Sequence, residues 1–374
     1  MNLTTREDFD LVQAVASGET VPSSWYTDPA VFAQEQAAIM RTSWHYVTDM
    51  SSFPEAGSQF RWDIGGVPIV LVLGDDAVVR GFVNICRHRA HPVVMEDQCR
   101  NVLQCNYHGW TYNLDGSLRH APRSAEEPEF DPRPLGLPPI QVHVWGPMVW
   151  VNVSADAPSF DEYTEGMKAM LWERGCRVDE HELVFSHEWE LDCNWKVLLD
   201  NSIECYHCPT THPELSRALV MDPEKQELVI GGRNWIYHLI PFRDNVPDGL
   251  TLARDANGEL MYFFNYVFPS AYVQYTGKGF DVGSVQAVAV NKVRWRHLVF
   301  LPKDTPAEVR AAGAQALAAE PTINQDVGIC NRVQASHETG VAPPGHLLPG
   351  SENLLTHYYK LIVELATNQA EANA

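Results

Sequence analysis

Two short segments near the front of the chain each carry one cysteine and one histidine, Cys86-Arg87-His88 and Cys105-Asn106-Tyr107-His108, with 16 residues between them. Few folds satisfy that pattern, because two thiolates and two imidazoles must come from two tight loops that face one another across a single metal unit. A Rieske-type [2Fe–2S] cluster needs this set, with two cysteines on one iron and two histidines on the other. Zinc also accepts nitrogen and sulfur ligands in a tetrahedral site. A zinc site usually groups Cys with Cys and His with His, whereas here each loop supplies one of each. The spacing therefore favours a cluster held by Cys86, His88, Cys105 and His108. Gly109, just after the second histidine, is expected to let the backbone approach closely, with Trp110 and Tyr112 keeping water from the sulfurs. His91 reads as a polar loop residue, since four ligands are already supplied.

A second constellation lies in Asn194 to Pro213. Asn201, Glu204 and His207 recur every three residues, so a helix through this stretch would line them along one side. Pro209 would end that helix. His207 and His212, five residues apart, could then converge on one ion. Two histidines and one carboxylate that leave open positions suit non-haem Fe(II). Asp326 is the candidate carboxylate. Val327, Cys330, Val333 and Gln334 follow it near helical spacing, which places Asp326 in the opening turn of a core-packed helix. An aspartate there also complements a helix N-terminus without any metal. Cys205 and Cys208 allow a zinc knuckle with His212, but no second pair completes it, and they read as small half-buried residues. Asp200 and Glu204 compete as the carboxylate that links this site to an incoming electron, and the register with His207 favours Glu204. Asn201 joins it as the second candidate catalytic residue.

In this order the two motifs resemble the α subunit of Rieske non-haem iron oxygenases, the ring-hydroxylating oxygenases, over essentially the whole chain. The run Glu204-Cys205-Tyr206-His207-Cys208 is similar to the choline, carnitine and glycine-betaine monooxygenase branch, whereas ring dioxygenases more often carry Asp at the position of Glu204. The resemblance implies a [2Fe–2S] cluster on Cys86, His88, Cys105 and His108 and a mononuclear Fe(II) on His207, His212 and Asp326. It implies that Glu204 bridges the two centres across a subunit boundary, which a homotrimeric ring would provide. Electrons would come from NAD(P)H through a separate flavin or ferredoxin-type reductase, and O2 would hydroxylate a small organic substrate. Where the attacked carbon adjoins nitrogen, as in a quaternary ammonium or amine, the product would lose that carbon as an aldehyde. An aromatic ring-hydroxylating dioxygenase is the alternative within the family. A Rieske electron carrier without oxygenase activity is the alternative outside it, and the His207, His212, Asp326 set argues against it.

At 374 residues the chain exceeds what one core usually holds. The expected division is a helical segment over 1–40 packing on the catalytic domain, a small all-β Rieske domain over 41–155 and a catalytic iron domain over 156–374. The fold class is α+β. Short strand patterns such as Val67 to Leu73, before the Gly74-Asp75-Asp76 turn, dominate the middle segment, and Ala155-Asp156-Ala157-Pro158 marks its end. The resemblance implies a helix-on-antiparallel-sheet catalytic domain of the helix-grip type. The alanine-rich run Ala311 to Ala319 reads as an exposed helix.

A net charge of −21 argues against a nucleic-acid binder, which would want a basic surface. Eight cysteines in so long a chain make no disulfide framework, and the need for reduced ligands points to the cytoplasm. No apolar run is long enough to span a bilayer, and Met1 to Asp8 lacks the pattern of a signal peptide. Tyr262, Phe264, Tyr266 and Phe268 alternate on one face of a strand. Such a face suits a quaternary ammonium or an aromatic ring, and suits a sheet core equally well. Trp235, Tyr237, Phe264 and Tyr266 are the candidate pocket residues on this basis.

Overall fold

The computed structural model describes residues 11–243, 261–275, 279–311 and 321–372. It divides into two compact units, Met40–Phe160 and a second that joins the chain up to Ile39 with Asp161 onward.

The Met40–Phe160 unit is built from ten strands: β1 His45–Asp49, β2 Ser58–Ile64, β3 Val67–Leu73, β4 Val79–Val83, β5 Gln98–Cys99, β6 Leu103–Gln104, β7 Thr111–Tyr112, β8 Leu118–His120, β9 Pro139–Trp145 and β10 Met148–Asn152. Seven form one antiparallel sheet in the order β1-β10-β9-β4-β3-β2-β5, and β6-β7-β8 form a small second sheet. The continuous apolar run in β3 serves two cores, as a strand covered on both faces requires. Val70 and Val72 pack with Cys86, Cys105 and Tyr112 under the cluster loops. Ile69, Leu71 and Leu73 pack with Val47, Val149 and Val151 on the other side.

The second unit holds β11 His181–Leu191, β12 Glu227–Ile230, β13 Trp235–Pro241, β14 Met261–Val267, β15 Ala271–Tyr275, β16 Phe280–Ala289 and β17 Lys292–Pro302. They form an antiparallel sheet in the order β11-β17-β16-β15-β14-β13-β12. Its helices are α1 Leu11–Ala16, α2 Ser24–Thr27, α3 Pro29–Glu35, α4 Phe160–Tyr163 at the unit boundary, α5 Met167–Glu173, α6 Trp195–Ile203, α7 Cys208–Thr211, α8 Pro213–Ala218, α9 Pro321–Glu338 and α10 Asn353–Ala372. This is the expected α+β class, a sheet gripped by helices. The N-terminal part is less continuous than one helical segment. Three short helices, with a π turn at Gln36–Met40, replace one long one, because Pro29 and the Asp28 cap restart the chain; Asp28 Oδ1 accepts from Ala30 N–H at 2.7 Å. Residues 1–10, and the alanine-rich run beyond Ala311, lie outside the described residues.

Asn194 caps α6 by accepting from Lys196 N–H at 3.0 Å. Lys196 in turn lies 2.7 Å from Glu35 Oε1, both side chains being 0% exposed. This pair joins α3 to the helix that leads into the second histidine motif. Among the described residues no helix is long and apolar enough to cross a membrane.

Candidate metal centres

The two cysteine–histidine segments form loops of matching backbone design. Cys86 N–H donates to His91 O at 2.8 Å and Ala90 N–H to Cys86 O at 3.1 Å. In the second loop Cys105 N–H donates to Trp110 O at 2.9 Å and Gly109 N–H to Cys105 O at 3.0 Å. The fourth residue after each cysteine closes the turn with positive φ, +57° at Ala90 and +74° at Gly109. Gly109 therefore answers to a left-handed turn and not to close approach, since an added Cβ would meet only Pro122 Cγ at 3.4 Å. Ala90 adopts the same region at a cost of ~1 kcal/mol.

The loops sort their ligands by chemistry. Cys86 and Cys105 are 3% and 1% exposed, whereas His88 and His108 are exposed, their ring centres 4.5 Å apart. Tyr112 Oη accepts from Arg87 N–H at 3.0 Å, which leaves its proton for Cys86 Sγ at 3.3 Å. Tyr112 thus guards a sulfur as expected, while Trp110 stacks instead on His88, 5.0 Å away and 3° from parallel. His91 turns its Nδ1 to Pro92 O at 2.6 Å. Buried thiols behind exposed imidazoles are a donor set that fits a [2Fe–2S] cluster.

In the second unit α6 ends at Ile203, and Glu204, with φ −119° and ψ 164°, is its C-cap. The expected helix through His207 is therefore absent. Pro209 does not end a helix but sits in the first turn of α7, where its missing N–H costs nothing. The turn at Cys205–His207 and the short α7 bring the histidines together by another route. His207 Nε2 and His212 Nε2 lie 3.2 Å apart, and Asp326 Oδ1 is 2.9 Å from His212 Nε2 and 3.6 Å from His207 Nε2. All three ligand atoms fall within 4.8 Å of one another. Asp326 is in the second turn of α9, not the first. Cys330 and Gln334 on that helix are 0% and 1% exposed, while Val333 points outward at 39%.

The partners of these side chains fix which nitrogen is available. Glu204 Oε1 lies 2.6 Å from His207 Nδ1 and Gln325 Oε1 lies 2.7 Å from His212 Nδ1. These acceptors favour the tautomer with its proton on Nδ1, which leaves the Nε2 lone pair for a metal. Asn201 Nδ2 donates to Asp326 Oδ1 at 3.2 Å. Glu204 Oε2 also accepts from the Tyr206 and His207 backbone. Burial opposes an imidazolium at His207, but the Cys208 and Glu204 side chains outweigh it and hold the ring up at about 10. A field that favours a proton there favours a metal cation. Asp200 points elsewhere, accepting from Tyr26 OH at 2.8 Å. Cys205 and Cys208 sit with sulfurs 2.6 Å apart beside the three ligands.

A cavity of about 280 Å³ opens from these three residues. Phe264 and Tyr266 line it. Trp235 and Tyr237 do not: they pair with Val267 and Asn265 on the opposite face of the sheet. There Trp235 Nε1 donates to Glu165 O at 2.9 Å, and the Arg174 guanidinium covers the Tyr237 ring at 5.8 Å. Sequence reasoning missed Gln325 and the cavity wall made by Tyr272, Asp281, Trp295 and His297. Gln325 precedes Asp326 and gives no separate signal, and the wall exists only once β14 to β17 pair.

A mixed cysteine–histidine loop pair on a β unit, with a two-histidine, one-carboxylate site under a helix-gripped sheet, defines a Rieske non-haem iron oxygenase architecture. Residues 178–367 match the family described as ring hydroxylating alpha subunit (catalytic domain), and residues 43–139 match the Rieske [2Fe-2S] domain. The chain belongs to the ring-hydroxylating alpha subunit family. It is 33% identical over 204 residues to the carnitine monooxygenase oxygenase subunit of Escherichia coli (strain K12), covering 54% of each chain. It is 27% identical over 347 residues to the chloroplastic choline monooxygenase of Beta vulgaris, covering 91% of this chain and 75% of that one. The chain spans about half the length of the carnitine relatives it matches. The crystal structure of the quaternary ammonium Rieske monooxygenase CntA with an inhibitor shares the fold, with TM-score 0.81 at 22% identity over 95% of this chain and 97% of that one.

Proposed function

We propose that this chain is the terminal oxygenase component of a multicomponent system that hydroxylates a quaternary ammonium or amine with O2. The observation that carries the reading is the His207, His212, Asp326 set, whose three ligand atoms converge in the lining of a cavity that also holds Phe264, Tyr266, Tyr272 and Trp295. Cys86, His88, Cys105 and His108 would hold the [2Fe–2S] cluster, and His207, His212 and Asp326 the Fe(II). When bound, these groups supply one-electron storage and dioxygen activation.

The chain's own residues do the rest. Glu204 and Gln325 keep the protons of His207 and His212 on Nδ1. Asn201 steadies Asp326 from the cavity side. Phe264 and Tyr266 line the cavity, and aromatic rings there suit a cationic head. Hydroxylation of a carbon on nitrogen gives a product that collapses to an aldehyde and a demethylated amine.

Glu204 is also the residue we assign to coupling with a neighbouring subunit, in a homotrimer, and a separate NAD(P)H-dependent reductase is the electron source. The need for reduced cysteine ligands supports a cytoplasmic location. The test is O2 uptake by the purified protein with a surrogate reductase and NADH, over a panel of betaines, amines and aromatic acids. Uptake and aldehyde release with an N-methylated cation are expected. Uptake with aromatic acids alone would assign the chain to ring oxidation.

A further inference from the structure

The cavity wall opposite the helices is a patterned surface. His238, Phe264, Gln274 and Asp281 form one row across β13 to β16, and Tyr266, Tyr272, Gly283 and His297 form the next, reaching β17. Glycine is required at 283, because a Cβ there would stand 1.9 Å from the Tyr272 ring. That ring lies over Gly283, with its hydroxyl 3.1 Å from His297 Nδ1. Asp281 thus lines a cavity wall rich in aromatic and imidazole rings. Its side chain is 17% exposed, and His297 Nε2 lies 3.7 Å away, beyond hydrogen-bond range. His297 Nε2 is itself buried without a hydrogen-bond partner. No Lys or Arg lines the cavity among the described residues.

A carboxylate in a cavity wall that holds no Lys or Arg can take its counter-charge from a ligand. We infer that Asp281 is the anchoring carboxylate for a cationic substrate, and that the cavity selects an alkylammonium carrying no acid group. A zwitterion would bring its own carboxylate among Asp281, Glu204 and Asp326, with no basic side chain to receive it. The rings of Tyr272 and Phe264 supply the π faces that a desolvated alkylammonium prefers. Asp281 is thus a specificity residue. This inference rests on the oxygenase reading for the chemistry that follows binding, and not for binding itself.

The test is anaerobic calorimetry on the iron-loaded protein at about pH 8, where an ordinary imidazole is neutral. Three ligands are compared: choline, the uncharged isostere with carbon in place of nitrogen, and glycine betaine. Choline should bind at least roughly tenfold tighter than either of the others. Asp281→Asn should remove its advantage over the isostere and leave the isostere's affinity within about twofold. Equal binding of choline and isostere in the wild-type chain overturns the proposal, as does tighter binding of glycine betaine. Those wild-type comparisons hold even if Asp281→Asn fails to fold, which its melting curve will show. Selective choline binding without O2 uptake would refute the oxygenase reading alone; uptake driven by an uncharged compound, with no cation bound, would refute the anchor alone.

Discussion

Replacing Lys196 by methionine would strand the Glu35 carboxylate at 0% exposure. In the native chain Lys196 Nζ lies 2.7 Å from Oε1 and 2.9 Å from Oε2 of Glu35, and it also donates to Asn194 Oδ1 at 2.9 Å. Trp195 Nε1 donates to the same carboxylate at 2.8 Å. Burial pushes Glu35 up and Lys196 down, and each partner offsets part of the other's shift. Removing one partner of such a pair costs about 3–5 kcal/mol, because the remaining charge is still buried. For a unit of this size, ~1 kcal/mol moves the melting temperature by ~2–4 °C. Lys196→Met should therefore lower Tm by roughly 6–20 °C. The pair joins α3 to the first turn of α6, whose far end carries Asn201 and Glu204, so iron retention should fall as well. Adding Glu35→Gln removes the stranded charge and should recover at least about half of the lost stability. Calorimetric melts of the single and double variants, with iron content measured alongside, check this. A single variant that melts with the wild type, or a double variant no better than the single, would refute the reasoning.

Asp326→Ala should lose the mononuclear iron and all oxygenation while keeping the visible spectrum of the cluster; full activity with iron retained would put the carboxylate elsewhere. Glu204→Gln keeps an acceptor for His207 Nδ1, so both metals should remain, yet single-turnover oxidation should slow by at least roughly tenfold, as expected for a weakened coupling group. Wild-type rates in that variant would remove Glu204 from the coupling role. At Asp200 burial outweighs the Tyr26 hydrogen bond and raises the carboxyl from 3.8 to about 7. The folded state then holds this proton more tightly than the unfolded chain, so stability from this group falls as pH rises from about 4 to about 7, by at most roughly 4 kcal/mol. Asp200→Asn should flatten that part of the stability–pH curve in denaturant titrations, and an unchanged slope would contradict the assignment.

The metal chemistry is legible in sequence because ligands must be particular residues at close spacing, and Cys86, His88, Cys105 and His108 can do little else together. Strand β3 is legible because its apolar run has strand length and a turn behind it. Local geometry is less so. A three-residue recurrence through Asn201, Glu204 and His207 suggests a helix, but the Glu204 side chain competes for the backbone N–H groups of Tyr206 and His207 and ends α6 early. Alternation groups Phe264 with Tyr266 and Trp235 with Tyr237, yet it cannot say which face of a sheet meets the cavity. Strand pairing decides that, and it sends the second pair to the α5 side. Asp281, His297 and Trp295 carry no motif at all. They meet only through the register of β16 with β17, as Glu35 and Lys196 meet across 161 residues of chain.

Metal and sulfide content after anaerobic purification tests the central claim most directly. A chain with one [2Fe–2S] cluster and one mononuclear iron should yield about three iron atoms and about two acid-labile sulfides per polypeptide. Cys105→Ser should abolish the sulfide and the visible colour. Zinc at one atom per chain, with no labile sulfide, would contradict the account at its base.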